Sequence, residues 1–282
     1  MLMDCFKLLE SLDIFGHAGF CIGIERCQLL QNSLIILQQE NHFQKCYYWG
    51  RINGINNDYY IAYGYKKECL EGQTYFYSID CLNWLLMPEP SKCAILLTSL
   101  TVSDFQGDPS VSVNAYDANP PYPPHENPQH FRDESVKKYL MEEDRLAATV
   151  YLINNDAAVV PRGSWLKTID GQIIENSSFC GLESNETSQL KSYLHARLPQ
   201  NTWNTNLLSR QDYDYALDFL DTLDEDVPSE CWSLQFKQSG RLILLHSMYW
   251  PGMTFFHKAN TPHYGFLYIG NGKKNIDIPF ML

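Results

Sequence analysis

The sequence predicts an α+β fold built on antiparallel β-sheet. Three observations carry that reading. Apolar residues recur at helical spacing at the amino end, aromatic and β-branched runs are separated by hairpin turns through the middle, and a second set of such runs closes the chain. The strands come in hairpin order with helices between groups, whereas a parallel sheet needs a helix after nearly every strand. The expected division is a helical segment over 1–46 and an α+β domain over 47–282, with a Pro-rich loop at 110–130.

The first two helices are read from Phe6, Leu9 and Leu12, then from Leu30, Leu34 and Leu37 in a segment starting near Ile24. A spacing of three or four places each set on one face, and Gly16, Gly19 and Gly23 supply the turn between them. Leu29, Ile35 and Ile36 widen the second apolar face, so that helix is expected to pack on more than one side or to meet a partner. From Tyr47 the composition suits strands on either side of Gly54–Asp58, with a third strand over Thr74–Ile79. A turn at Cys81–Trp84 and breaks at Pro88 and Pro90 follow.

Ser110–Pro128 is rich in Pro and Asn and reads as a loop. Arg132–Ala147 reads as a charged helix, followed by a hairpin of Thr149–Ile153 and Ala157–Val160 about Asn154-Asn155-Asp156. Two further helices are expected at Asn185–Arg197 and Asp212–Asp224, with Ser184 and Ser209 before them as caps. Trp232–Lys237 and Arg241–Tyr249 read as strands. The final stretch is expected to fold as a hairpin about Asn271-Gly272, between Phe266–Gly270 and Ile276–Ile278. Its last residues, Phe280, Met281 and Leu282, are expected to be packed, since each buried apolar side chain is worth roughly 1.5–3 kcal/mol.

Composition excludes several functions. With 21 basic against 33 acidic residues the net charge is −12, so neither nucleic acid nor an anionic membrane is an expected partner. Asp4, Lys7 and Glu10 interrupt the amino-terminal apolar residues. No run approaches the roughly 18–20 apolar residues of a spanning helix, and the chain reads as soluble and not secreted. Nine scattered cysteines, none paired at two-residue spacing, read as reduced and mostly buried thiols. In a chain that is not secreted, the glycosylation patterns at Asn176 and Asn185 are chance matches.

No catalytic, cofactor or metal constellation emerges. His125 and His130 are one residue too far apart for a metalloprotease helix, and Pro128 breaks it. Gly270-Asn-Gly272-Lys273-Lys274 lacks the first glycine and the Ser or Thr of a phosphate loop. There is no Gly-x-Ser-x-Gly elbow. His195, His246 and His257 are candidate bases, but His195 is expected at a helix carboxyl end and His246 as a hydrogen-bonded core residue. Asp221, Asp224, Glu225 and Asp226 read as a solvated acidic face.

One set of motifs stands out. Tyr48-Trp49-Gly50-Arg51-Ile52-x-Gly54, Asp58-Tyr59-Tyr60-Ile61-Ala62, Gly107-Asp108-Pro109, Val160-Pro161-Arg162-Gly163, Trp232-Ser233, Trp250-Pro251-Gly252 and Asn275-x-Asp277-x-Pro279-Phe280-Met281-Leu282 follow one another in this order. Together they resemble the radial spoke head protein 9 family, over a span from about Tyr47 to the last residue. Radial spoke head proteins 4 and 6 share some of these elements, but the length and the Phe-Met-Leu ending favour protein 9. Val113–Pro128 and the Cys-rich amino-terminal helices match no motif of the family.

The resemblance implies a non-catalytic subunit of the radial spoke head, the axonemal complex that relays mechanical signals between the central pair and the dynein-bearing outer doublets. It implies no cofactor and a place in the axoneme of cilia and flagella. Implied partners are other spoke head proteins, of the 4/6 type and of the 1 and 10 types, with contact to central-pair projections, in an obligate complex. Under it, Trp49, Arg51, Asp58, Tyr59 and Tyr60 stand at a conformation-defining hairpin, with Arg51 and Asp58 close enough to pair. Trp250, Pro251 and Gly252 form a corner. Each cluster admits two readings, one purely architectural and one as a partner contact. The residues also admit a 4/6-type paralogue, a cytosolic scaffold outside cilia, and a glycan-active enzyme using a carboxylate pair beside aromatic platforms.

Overall fold

The computed structural model describes residues 4–114, 139–200 and 214–280. Two helices form at the amino end as the apolar spacing predicts, but the first turns Leu8, Ser11 and Phe15 inward, leaves Phe6 and Leu9 exposed and only partly buries Leu12. After a short 3-10 turn come α1 (Leu8–Gly16) and α2 (Ile24–Glu40), which bury Leu8 and Phe15, and Leu30, Leu34 and Leu37. Ile35 packs against the core, while Leu29 and Ile36 remain exposed on the outer side of α2.

The aromatic run becomes β1 (Lys45–Ile52), β2 (Tyr59–Tyr65) and β3 (Thr74–Ser78), joined by the short β4 (Leu85–Leu86). The prolines at 88 and 90 do more than break the pattern. Ser91 after them caps a helix, α3 (Lys92–Leu100), by accepting the Ala94 N–H at 3.1 Å. Within the span read as a Pro-rich loop, Ser112–Asn114 forms β5 and pairs with β6 (Tyr139–Met141). Residues 115–130 of that loop, with His125 and His130, lie outside the described residues.

The next segment corrects the expected boundaries. The helix begins at Glu142 and runs as α4 (Glu142–Ala157) through the positions expected to form a hairpin. Leu146, Ala147, Val150, Ile153 and Ala157 are buried and share one helical face. Glu142, Glu143 and Asp144 place negative charge at the positive end of the helix dipole. Positions 132–138 lie outside the described residues.

Three short strands follow: β7 (Val159–Pro161), β8 (Trp165–Lys167) and β9 (Ile173–Glu175). The helix expected over Asn185–Arg197 is absent. The Thr187 and Ser188 hydroxyls take the carbonyls of Ser184 and Asn185, a local alternative to helical bonding. Tyr193–His195 becomes β10 against β7. The helix expected over Asp212–Asp224 is absent from its described part as well. Asp214 accepts the Ala216 N–H, and Asp218 is drawn to Arg162.

The last four strands are β11 (Trp232–Lys237), β12 (Leu242–Ser247), β13 (Met253–Lys258) and β14 (Tyr264–Gly270). The hairpin about Asn271-Gly272 does not form, because β14 has no free side. It pairs antiparallel with β13 and parallel with β1, giving the order β11-β12-β13-β14-β1-β2-β3-β4. The closing hairpin is therefore β13–β14, and the large sheet is mixed rather than wholly antiparallel.

This eight-stranded sheet is covered on both faces. α1 and α2 pack with Cys46, Tyr48, Tyr60, Ala62, Leu244 and Phe256. α4 and the chain from β7 to β10 pack with Tyr47, Trp49, Tyr59, Ile61, Tyr63, Phe255 and Tyr268 on the other side. A bulge between Tyr48 and Gly50 shifts the β1 register, so that Ile52 joins Trp49 on the α4 face.

His257 sits deep in this arrangement, fully buried, and its Nε2 accepts the Leu182 N–H at 3.2 Å. Burial pushes the imidazole down to about 4, from an ordinary 6.5. Between those values the unfolded chain takes up a proton that the folded chain refuses, so stability falls as pH drops through the window. The expected loss is about 3 kcal/mol, at about 1.4 kcal/mol per pH unit. Urea midpoints at pH 7 and pH 4.5 should show it, and H257Q should lack this component; equal slopes in both proteins would remove His257 as the cause.

Candidate interface and its supports

Arg51 and Asp58 stand at the two ends of the loop joining β1 and β2, with Arg51 Nη1 3.4 Å from Asp58 Oδ2. Asp58 Oδ1 also accepts the Gly54 N–H at 3.3 Å. The Ile55 and Asn56 N–H groups donate to the carbonyls of Phe105 and Gln106 at 2.8 and 2.9 Å. The loop is thus pinned along its length, and at its tip Ile55 is 70% exposed.

The pin is held by Glu142, the first residue of α4, whose side chain is fully buried. Its carboxylate accepts from the Tyr59 hydroxyl at 2.7 Å and from the N–H groups of Gln106, Gly107 and Asp108 at 2.8, 2.7 and 3.3 Å. Gly107 has φ +90°, and a Cβ there would meet the Asn57 carbonyl oxygen at 2.3 Å. The Gly107-Asp108-Pro109 motif therefore serves to wrap a buried carboxylate and to lie against the β1–β2 loop. Below it Arg145, also buried, stacks over Phe105 at 4.1 Å and donates to the Ser103 carbonyl at 2.6 Å.

The other end of α4 holds the two tryptophan motifs. Trp49 Nε1 donates to Asn154 Oδ1 at 2.7 Å, and Trp250 Nε1 donates to Asp156 Oδ2 at 3.1 Å. Lys274 reaches the same Asp156 oxygen at 2.7 Å. The residues read as a hairpin turn are thus the last turn of α4, and two of them accept an indole N–H. Gly252, with φ +103°, lets the corner after Trp250 approach β14, where its carbonyl accepts the Ile269 N–H at 3.0 Å.

Of the residues singled out from sequence, Trp49, Tyr59, Tyr60 and Trp250 are buried within this chain. Arg51 and Asp58 are half-buried and Pro251 is exposed. The carboxyl end departs from expectation: Ile278 is buried, but Phe280 is 85% exposed, and Met281 and Leu282 lie outside the described residues. The described residues offer Phe280 no cover, because those after Gly270 leave the sheet instead of pairing in it.

The acidic stretch is also not the solvated face expected. Asp221 is buried and accepts from Arg197 Nη1 at 2.5 Å and from the Gln200 N–H at 2.8 Å. Asp226 binds His195 Nε2 at 2.9 Å and accepts from Trp232 Nε1 at 2.7 Å, while Asp224 and Glu225 are exposed. His195 thus sits on β10, fixed by a carboxylate, and not at a helix end. His246, half-buried on β12, bonds the Thr254 hydroxyl at 2.9 Å.

A further carboxylate was missed by sequence reasoning. Glu175 on β9 accepts from the hydroxyls of Tyr47 and Tyr65 at 2.5 and 2.6 Å and pairs with Lys45. Burial pushes its carboxyl up, but the bonds from Lys45, Tyr47 and Tyr65 outweigh this and hold it below the usual range. Nothing in local sequence marks Glu142 or Glu175, since each collects its donors from segments distant along the chain. Among the described residues no cluster of His, Cys, Asp and Glu is arranged to hold a metal ion, and no helix is long and apolar enough to cross a membrane. All nine cysteines are free thiols, six of them buried.

Comparison with known proteins gives the architecture a family. Residues 3–75 match the model of the radial spokehead-like protein family. The radial spoke head protein 9 homolog of Bos taurus is 37% identical over 280 residues, covering 99% of this chain and 100% of that protein. The Danio rerio homolog is 38% identical over 281 residues and the Homo sapiens homolog 36% over 280, each with the same coverage of both chains. Identity at this level over the full length of both chains places the chain in the radial spoke head protein 9 family.

Proposed function

We propose that this chain is a non-catalytic structural subunit of the radial spoke head, working in the axoneme of cilia and flagella. Its role is to support assembly of the head and to pass mechanical signals between the central pair and the outer-doublet dyneins. The observation that carries this reading is the end-to-end similarity to radial spoke head protein 9 homologues. The chemistry of the described residues agrees with it: Glu142, Glu175 and Asp226 spend both carboxylate oxygens on internal donors, and Asp221 spends Oδ2 on Arg197 and Gln200.

The partners are other spoke head proteins, of the 4/6 type and of the 1 and 10 types, with contact to central-pair projections. The chain acts as an obligate member of the complex and binds no cofactor. Ile55, carried on a pinned loop, and Phe280, after a buried Ile278, are the side chains offered to those partners. A rigidly displayed apolar group loses little entropy on docking.

The reading is tested by salt extraction of isolated axonemes followed by mass spectrometry of what co-purifies with a tagged copy. Recovery with the other spoke head proteins is expected; recovery only in the soluble cell body would overturn it. F280S should leave the unfolding stability of the isolated chain within about 0.5 kcal/mol, as for other exposed positions. The same substitution should reduce the yield of co-purified spoke proteins, and an undiminished yield would take Phe280 out of the interface.

A further inference from the structure

Six of the nine cysteines are buried, and Cys21, Cys93 and Cys180 are exposed. Cys21 differs from the other two exposed thiols in what lies beside it. Its Sγ is 3.8 Å from the Ile22 carbonyl oxygen, and the Sγ of Cys27 donates to that same oxygen at 3.2 Å. Two sulfurs that share one acceptor at these distances are at most about 7 Å apart.

The two thiols sit on differently held backbone. Cys27 is in the first turn of α2 and is 7% exposed. Cys21 is in the turn between α1 and α2, among Gly16, Gly19 and Gly23, and none of these glycines has a heavy atom within 4 Å of where a Cβ would stand. Phe20 and Ile22 on either side of Cys21 pack against the core, but the glycines at 19 and 23 have open space to bend into, so Cys21 can close the remaining gap to the roughly 2 Å of a sulfur–sulfur bond while α2 stays in place.

We propose that Cys21 and Cys27 are a thiol–disulfide pair, and that oxidation by a low-molecular-weight disulfide staples the α1–α2 turn to α2. The Cys21 thiolate attacks one sulfur of glutathione disulfide and expels a glutathione thiolate, leaving a mixed disulfide on Cys21. Cys27 then gives up its proton, its sulfur displaces the second glutathione from Cys21, and the protein disulfide forms. Two protein thiols lose two electrons and two protons, and one glutathione disulfide becomes two glutathione molecules. Burial pushes the Cys27 thiol up, which fits the exposed Cys21 as the first to react and Cys27 as the resolving partner.

The chain itself supplies the assay. Trypsin cuts after Lys7, Arg26 and Lys45, so Cys21 and Cys27 leave on different peptides unless a disulfide joins them. The native full chain is incubated with glutathione disulfide, its free thiols are blocked with N-ethylmaleimide, and it is digested without reduction. The expected product joins residues 8–26 to 27–45 and is two hydrogens lighter than its separate parts. Cys21 should carry about tenfold less glutathione than Cys93 and Cys180, which have no resolving partner. In C27A, Cys21 should keep its glutathione like the other two. Equal glutathione on all three exposed cysteines of the native chain, or a joined product that appears only after unfolding in urea, would overturn the proposal.

Discussion

Replacing Glu142 with alanine is expected to lower the unfolding stability by about 4 kcal/mol, the larger of two effects we expect from single substitutions. The carboxylate serves four donors at once, the Tyr59 hydroxyl and the N–H groups of Gln106, Gly107 and Asp108. Each hydrogen bond to a charged group is worth about 1.5–3 kcal/mol, and a buried donor left without a partner costs about 1–3 kcal/mol. The four are not additive, because water entering the vacated space will satisfy some of the donors. E142Q keeps one acceptor but turns an NH2 group towards donors, and about half the loss is expected for it. Urea midpoints at unchanged slope would measure both. Faster amide exchange at Gly107 and Asp108 should accompany the loss. A cost below about 1 kcal/mol for the alanine variant would mean that Glu142 does not hold the β1–β2 loop.

Gly252→Ala should cost about 3 kcal/mol. The residue has φ +103°, which disfavours any side chain, and the added methyl would stand 2.1 Å from the Ile269 carbonyl oxygen. Backbone strain of this kind costs on the order of 1–3 kcal/mol before the clash is counted. The clash cannot be relieved by a rotamer change, because the obstacle is the backbone of β14. That strand is hemmed in from its other side too, where a Cβ on Gly50 would meet the Tyr268 carbonyl oxygen at 2.1 Å. P251A, one residue earlier but exposed, should stay within about 0.5 kcal/mol. Thermal melts of the two variants side by side would separate the corner's backbone from its surface. Equal melting points would show that the corner yields without cost.

Much of this architecture was legible in the residues. The apolar spacing of Leu30, Leu34 and Leu37 placed α2, and the aromatic runs about Gly54–Asp58 placed β1 and β2, while the family resemblance implied the Arg51–Asp58 pair. Trp232–Lys237 and the run after Gly240 became β11 and β12 where expected. These elements are fixed by local periodicity and turn chemistry, which a sequence carries in full. The ordered motifs likewise pointed to the family that end-to-end identity then established.

The rest depended on which segments meet. Asn271-Gly272 has the residues of a tight hairpin, but β1 already occupies the side of β14 where a returning strand would pair, so the chain turns away and leaves Phe280 exposed. Tyr193–His195 extends because β7 offers it a partner, against the helical periodicity of its neighbours. Asp221 and Asp226 look like solvent-facing charge in sequence, yet Arg197, His195 and Trp232 draw them inward. Glu142 resembles any acidic residue at a helix start until Gly107 and Tyr59, 35 and 83 residues away, are brought against it. Sequence by itself determined the positions of α2, β1 to β3, β11 and β12, and the family, because these are written in short-range pattern and order. Only the tertiary structure decided strand partners, buried charges and the exposure of Phe280, because a hydrogen-bonding edge or a donor is available only when no other segment has taken it.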